Sequence, residues 1–159
     1  MKSLKTLGLV MVMALALGLG AGCSKKTEMQ TSTSTEDPAA ALNAAVQTIT
    51  DGIVYFDYDK YDVKSEYTGM LQQKAELMKA YPDIRVRIEG NCDERGTQEY
   101  NLALGERRAR AVYDYMVMLG VNPDQLEMIS YGKERPAVSG DSEEAWALTR
   151  RDNFNVIAR

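Results

Sequence analysis

The sequence predicts an α+β domain: a two-layer sandwich in the order β-α-β-α-β-(α)-β, with the helices packed on one mixed sheet. Three observations point there. Apolar residues recur at spacings of three and four in two long stretches, residues 64–80 and 99–119. Between them Ile84, Val86 and Ile88 alternate with Arg85, Arg87 and Glu89, as in a strand with one wet face. Pro82 and Gly120 punctuate the two helical stretches at their ends.

The folded part is expected to begin at residue 51. Residues 53–56 (Ile53, Val54, Tyr55, Phe56) form a short apolar run that predicts a strand buried on both faces. The polar run from Asp57 to Tyr61 breaks it. The first long helix should cover 64–80 and turn Tyr67, Leu71, Ala75 and Met78 inward. The alternating strand follows at 84–89, then a polar loop at 90–96. The second helix, 99–119, should bury Leu102, Ala109, Val112, Met116 and Leu119. A third strand at 126–131, a short helix at 143–148 and a last strand at 153–158 complete the pattern, with no internal repeat.

Ahead of the domain the composition changes. In residues 24–50, Lys25-Lys26, Thr-Ser repeats, Asp37-Pro38 and an Ala-rich patch read as a flexible tether, with at most a transient helical turn from Ala39 to Ala45. Residues 1–22 read as a secretory signal: Lys2 and Lys5, an apolar run from Leu7 to Leu19, then Gly20, Ala21 and Gly22. The run is about a dozen residues, short of the ~20 that a bilayer span needs. It stops at Cys23. The stretch Leu19-Gly20-Ala21-Gly22-Cys23 resembles the bacterial lipoprotein box, which implies lipidation at Cys23 and anchoring to a membrane without spanning it. Ser24 after the cysteine implies, by the same resemblance, the outer membrane.

Charge and composition narrow the functional classes. Taking Lys2 and Lys5 from the 19 basic residues leaves 17 against 23 acidic ones, a net charge near −6 after cleavage. That argues against nucleic acid as a partner. The chain has no histidine, which removes Ser-His-Asp and Cys-His catalysis and the commonest metal ligand. No metal site, cofactor or catalytic residue is expected. With Cys23 lipidated, Cys92 has no partner in the chain, and it reads as a small semi-buried hydrophobe.

The loop at 90–96 and the helix after it concentrate the chemistry. On a helix Asn101, Gly105 and Arg108 share one stripe, and Gly105 leaves room there for a ligand or a neighbouring backbone. Asp93 sits in the loop that feeds the helix. A carboxylate, an amide and a guanidinium that converge would suit a zwitterion, with Asp93 on its ammonium and Arg108 on its carboxylate. The alternative is that Asp93 and Arg108 pair with each other and tie loop to helix. Asp93 and Glu94 as paired carboxylates of a wall hydrolase are disfavoured, because adjacent loop residues point apart.

Four motifs carry a resemblance over residues 53–159: the run from Val54 to Tyr61, the loop from Glu89 to Thr97, the run from Glu99 to Ala109, and the segment from Ser130 to Pro136. Together they are similar to the OmpA-like peptidoglycan-binding domain family. The resemblance implies non-covalent binding of the peptidoglycan stem at its diaminopimelate residue, without catalysis. It assigns that role to Asp93, Arg108 and Asn101, and to the first-strand acids Asp57 and Asp59. It further implies a TolB-like partner in the Tol system at cell constriction. Residues 130–136 read either as a loop for that partner or as an ordinary turn ended by Pro136. The chain departs from many relatives at Asn91-Cys92, where they carry His-Ala or His-Thr, and at Thr149, where they carry Asn. The competing reading is an envelope-anchored protein-interaction domain that does not bind the wall.

Overall fold

A computed structural model describes residues 37–159. The signal, Cys23 and residues 24–36 lie outside the described residues. The elements run α1 (Pro38–Thr50), β1 (Val54–Tyr55), α2 (Thr68–Ala80), β2 (Arg85–Asn91), α3 (Gln98–Met118), β3 (Leu126–Gly132), α4 (Glu143–Thr149) and β4 (Arg151–Ala158). One-turn 3-10 helices precede α2 and β3. Among the described residues no helix is long and apolar enough to cross a membrane.

The expected α+β class is observed. The strands form one mixed sheet in the order β1-β4-β2-β3, with β4 antiparallel to β1 and β2, and β2 parallel to β3. Strand alternation sorts the two faces. Val86 and Ile88 of β2 are fully buried with Phe154 of β4. On the other face Glu127 takes ion pairs from Arg85 and Arg87 at 2.8 and 3.1 Å. The helix-covered core gathers Ile49, Val54, Phe56, Leu71, Ala75, Met78, Ala109, Val112 and Met116 around those strands.

The tether expectation fails from residue 38 onward. Asp37 caps α1 by accepting from Ala39 N at 3.0 Å, and Pro38 occupies the first helical turn. Ala45 and Ile49 are buried, and α1 lies against β4 and α2. The Ala-rich composition that reads as weakly structured is also a strong helix former. Lys74 completes the dock: its buried ammonium donates to the carbonyls of Thr48, at 3.1 Å, Ile49 and Asp51, the open C-terminal end of α1. The folded part therefore includes residues 38–50, ahead of the expected start at 51.

Three smaller corrections concern packing. β1 is two residues long and lies at a sheet edge, where the apolar run predicted a strand buried on both faces. The inward face of α3 carries Leu104, while Leu102 is exposed. The turn 65–67 is a 3-10 helix, so α2 begins at Thr68. Gly105 serves a backbone and not a ligand. A Cβ there would stand 2.3 Å from Ser130 Oγ, and one on Gly90 would stand 2.1 Å from the Gly105 carbonyl. This close approach seats α3 on β2 and β3.

Candidate functional site

The site forms where the C-terminal end of β2 turns into α3. Thr97 caps α3 by accepting from Tyr100 N at 3.2 Å, and Gly96 takes a φ of 95° that favours glycine. The Cys92 amide donates to the Gly132 carbonyl at 2.7 Å, which pins the loop to β3. Asn101 Nδ2 donates to the Arg95 carbonyl at 2.9 Å. The loop is thus held from both sides, and Asp93 is 4% exposed.

Asp93 carries a dense set of bonds. Its Oδ1 accepts from the backbone N and Nε of Arg95 at 3.1 and 3.2 Å. Its Oδ2 accepts from Arg95 Nη2 at 2.6 Å and Arg150 Nη1 at 3.2 Å. Burial pulls the carboxyl upward, but the bonds from Arg95 and Arg150 outweigh it and hold the group below the usual carboxylate range. Asp93 is therefore an anion at neutral pH.

Arg108 does not pair with Asp93. Its guanidinium is fully buried and donates to the carbonyls of Lys60 (2.8 Å), Asn91 (2.9 Å) and Asp57 (3.1 Å), and to Cys92 Sγ (3.4 Å). It lies 5.0 Å from the Phe56 ring centroid. These bonds tie the 57–60 turn to the end of β2, and so set where Tyr58 and Asp59 stand. The alternative reading, an Asp93–Arg108 pair, is thus not observed; the buried cation on Asp93 is Arg150, at the end of α4, which also donates to the Phe56 carbonyl at 3.1 Å and to Glu143 at 2.6 Å.

A pocket of about 300 Å³ opens over this arrangement, lined by Asp59, Asp93, Asn101 and Arg108 together with Tyr58, Arg95, Tyr100 and Arg150, among others. Four of the five candidate side chains thus share one cavity. Asp59 sits at a φ of 55° and accepts from the Tyr100 hydroxyl. Asp57 is the exception. Its side chain is exposed and pairs with Lys64 at 2.9 Å, a bond that lowers its carboxyl. Only its carbonyl serves the site, through Arg108. Glu94 lines a separate depression with Lys133, Pro136 and Trp146, so Asp93 and Glu94 do not form a carboxylate pair.

Beneath the pocket the sheet carries a polar flaw. Asp152 is fully buried opposite Gly90, and among the described residues neither of its oxygens, nor Asn91 Oδ1, has a hydrogen-bond partner. Burial pushes the Asp152 carboxyl well above the usual range, against the pull of Arg108. Cys92 is a free buried thiol that donates to the Asn101 carbonyl at 3.3 Å. Burial raises it to about 11, although Arg108 draws it down, so it is an inert packing residue. Among the described residues no group of three metal-ligating side chains occurs.

Sequence reasoning missed Arg95, Arg150, Tyr58 and Trp146. The Arg95 guanidinium lies between two rings, 4.0 Å from the Tyr58 centroid and 4.1 Å from that of Trp146. Arg150 and Trp146 lie some fifty residues from Asp93 in the chain, and only the closing of β4 beside β1 and β2 delivers them. No spacing rule announces that.

Comparison with known proteins adds the relatives. The chain is 50% identical over 115 residues to a peptidoglycan-associated lipoprotein of Pseudomonas putida, covering 72% of this chain and 68% of that one. It superposes on the crystal structure of the peptidoglycan-associated lipoprotein from Burkholderia pseudomallei with a TM-score of 0.67 at 45% identity, over 69% of this chain and 92% of that one. The C-terminal domain of Helicobacter pylori MotB shares the fold at 21% identity, with a TM-score of 0.63 over 68% and 85% of the two chains. The sequence pattern of the OmpA family matches residues 55–150, and with half of the aligned residues shared with such relatives, the chain belongs to the OmpA family.

Proposed function

We propose that this protein is an outer-membrane lipoprotein whose domain grips peptidoglycan non-covalently, at the diaminopimelate of the stem peptide. It is a binding protein and not an enzyme. The observation that carries this reading is the shared cavity of Asp59, Asp93, Asn101 and Arg108 in a chain half identical to proteins named peptidoglycan-associated lipoprotein. An ionised carboxylate beside buried guanidinium groups suits a zwitterion. Lipid at Cys23 would hold the outer membrane while the domain holds the wall. Each contact then needs only modest affinity, because many copies act on a repeating polymer. A TolB-like partner and a place in the Tol system during division extend the same reading.

One observation favours the rival, a domain that binds only protein partners. Asp93 and Arg108 are both satisfied inside the chain, as structural groups are. Cosedimentation of residues 24–159 with purified peptidoglycan decides between them, with Asp93→Ala and Arg108→Ala compared and their folding checked by circular dichroism. Native binding that is lost in folded variants is the expected result. Binding retained in both variants removes the pocket from the wall contact, and absence of native binding puts the rival first.

A further inference from the structure

The carboxylate on which wall binding rests is occupied by the chain itself. Arg95 places three donors on Asp93, two of them from its guanidinium. The same guanidinium is stacked between Tyr58 and Trp146. The carboxylate of this pair is buried, and its guanidinium is held further by two aromatic faces, each attractive to a cation. Arg95 also lines the pocket, so its side chain stands in the space a ligand would enter.

We infer that Arg95 is an intramolecular competitor for the ligand's cation. In the free protein its guanidinium fills the place of the incoming ammonium on Asp93, and it must leave when that ammonium binds. Arg95 thereby sets the affinity of the site. The inference rests on the wall-binding reading.

The two arginines on Asp93 are built for different roles. Arg150 is 6% exposed and tied to the Phe56 carbonyl and Glu143, so it belongs to the frame. The Arg95 side chain is 28% exposed and has a second carboxylate within reach, Glu143 Oε2 at 3.4 Å. Moving toward Glu143 keeps it paired while Asp93 opens. The exchange is charge-neutral: one cation replaces another on Asp93, and no buried charge is stranded.

Trp146 is the only tryptophan in the chain, so departure of Arg95 from its ring is visible in fluorescence. Residues 24–159 are titrated with a diaminopimelate-containing muropeptide released from purified peptidoglycan, for the native chain, Arg95→Ala and Arg95→Lys. Native protein should change its Trp146 emission saturably. Arg95→Ala should bind about 5- to 10-fold more tightly, with free-state emission already like that of the native complex and little further change. Arg95→Lys, a cation without the two-point fork, should fall between them. Arg95→Ala binding equal to or weaker than native, with the native chain binding, overturns the competitor role and leaves wall binding intact. Binding by neither chain removes the wall-binding reading, and this inference with it. Circular dichroism confirms that each variant is folded.

Discussion

Among the described residues two cations are fully buried, Lys74 and Arg108, and both are held by backbone carbonyls in place of carboxylates. Lys74 donates to Thr48, Ile49 and Asp51 and stands 4.5 Å above the Phe154 ring. Arg108 donates to Asp57, Lys60 and Asn91 beside the Phe56 ring. The carbonyls of Lys74 come from one helix end, where they converge and the helix dipole welcomes positive charge. Those of Arg108 come from two segments some thirty residues apart, and only a planar fork spans them. Lysine here pins one element, whereas arginine assembles a cavity. Burial lowers Lys74 to about 8, with Asp51 opposing. Burial also lowers Arg108, yet a guanidinium keeps its charge in a protein. Arg108 thus keeps its charge at alkaline pH, and Lys74 does not.

The largest effect should follow from Arg108→Met. It takes the donor from three carbonyls, that of Asn91 buried and those of Asp57 and Lys60 partly so, and urea unfolding should show a loss of about 3 kcal/mol. Arg108→Lys should recover less than half, because a point charge cannot span both segments. An unchanged midpoint for Arg108→Met would break the comparison at its root. Next comes deletion of residues 37–50, which removes the fully buried Ile49 and two of the three carbonyls that hold Lys74. A loss of about 3 kcal/mol is expected, with wall binding per folded molecule unchanged. Reduced binding would place α1 in the functional surface.

A pH series sharpens the contrast further. Folded Lys74 releases its proton at about 8 and the unfolded chain at 10.5, so the unfolded state holds more protons between those values and native stability rises with pH there. The difference between native and Lys74→Met should change by about 2–3 kcal/mol across that window. A flat difference would mean that the α1 carbonyls hold the proton fully. The smallest effect belongs to Asp152→Asn. The folded carboxyl keeps its proton above the ordinary carboxylate range, so this group's contribution to stability falls as pH rises past about 4. The variant should lose that slope and gain about 1 kcal/mol at pH 7.

What the sequence made legible follows from how each signal is encoded. The alternation of Ile84, Val86 and Ile88 and the stripe of Ala109, Val112 and Met116 are local periodicities, and they located β2 and α3 to within about two residues. Asp93 and Arg108 fall close together because one strand-loop-helix unit carries both. Their partners were illegible. Asp93 takes Arg150 from 57 residues away, and Arg108 takes carbonyls, which every residue has and no motif marks. The extent of α1 was misread from its Ala-rich composition, although Leu42, Ala45, Val46 and Ile49 stand at i, i+3, i+4 and i+7 and form the apolar stripe that packs on the core. Its dock is completed by Lys74, a residue whose composition class argues for the surface.

The dock of α1 also bears on force. A pull arriving from the N-terminal side meets α1 before the sheet, and α1 is held by a short apolar stripe (Leu42, Ala45, Val46 and Ile49) and one ammonium rather than by a ladder of strand bonds. Its 13 residues span about 20 Å as a helix and about 44 Å extended. Peeled off under load, it would pay out roughly 25 Å while the sheet and pocket stay closed. Single-molecule pulling should then record one small reversible step before the main rupture, and a single all-or-none rupture would argue otherwise. The segment misread as a tether would act as one only when the molecule is under tension.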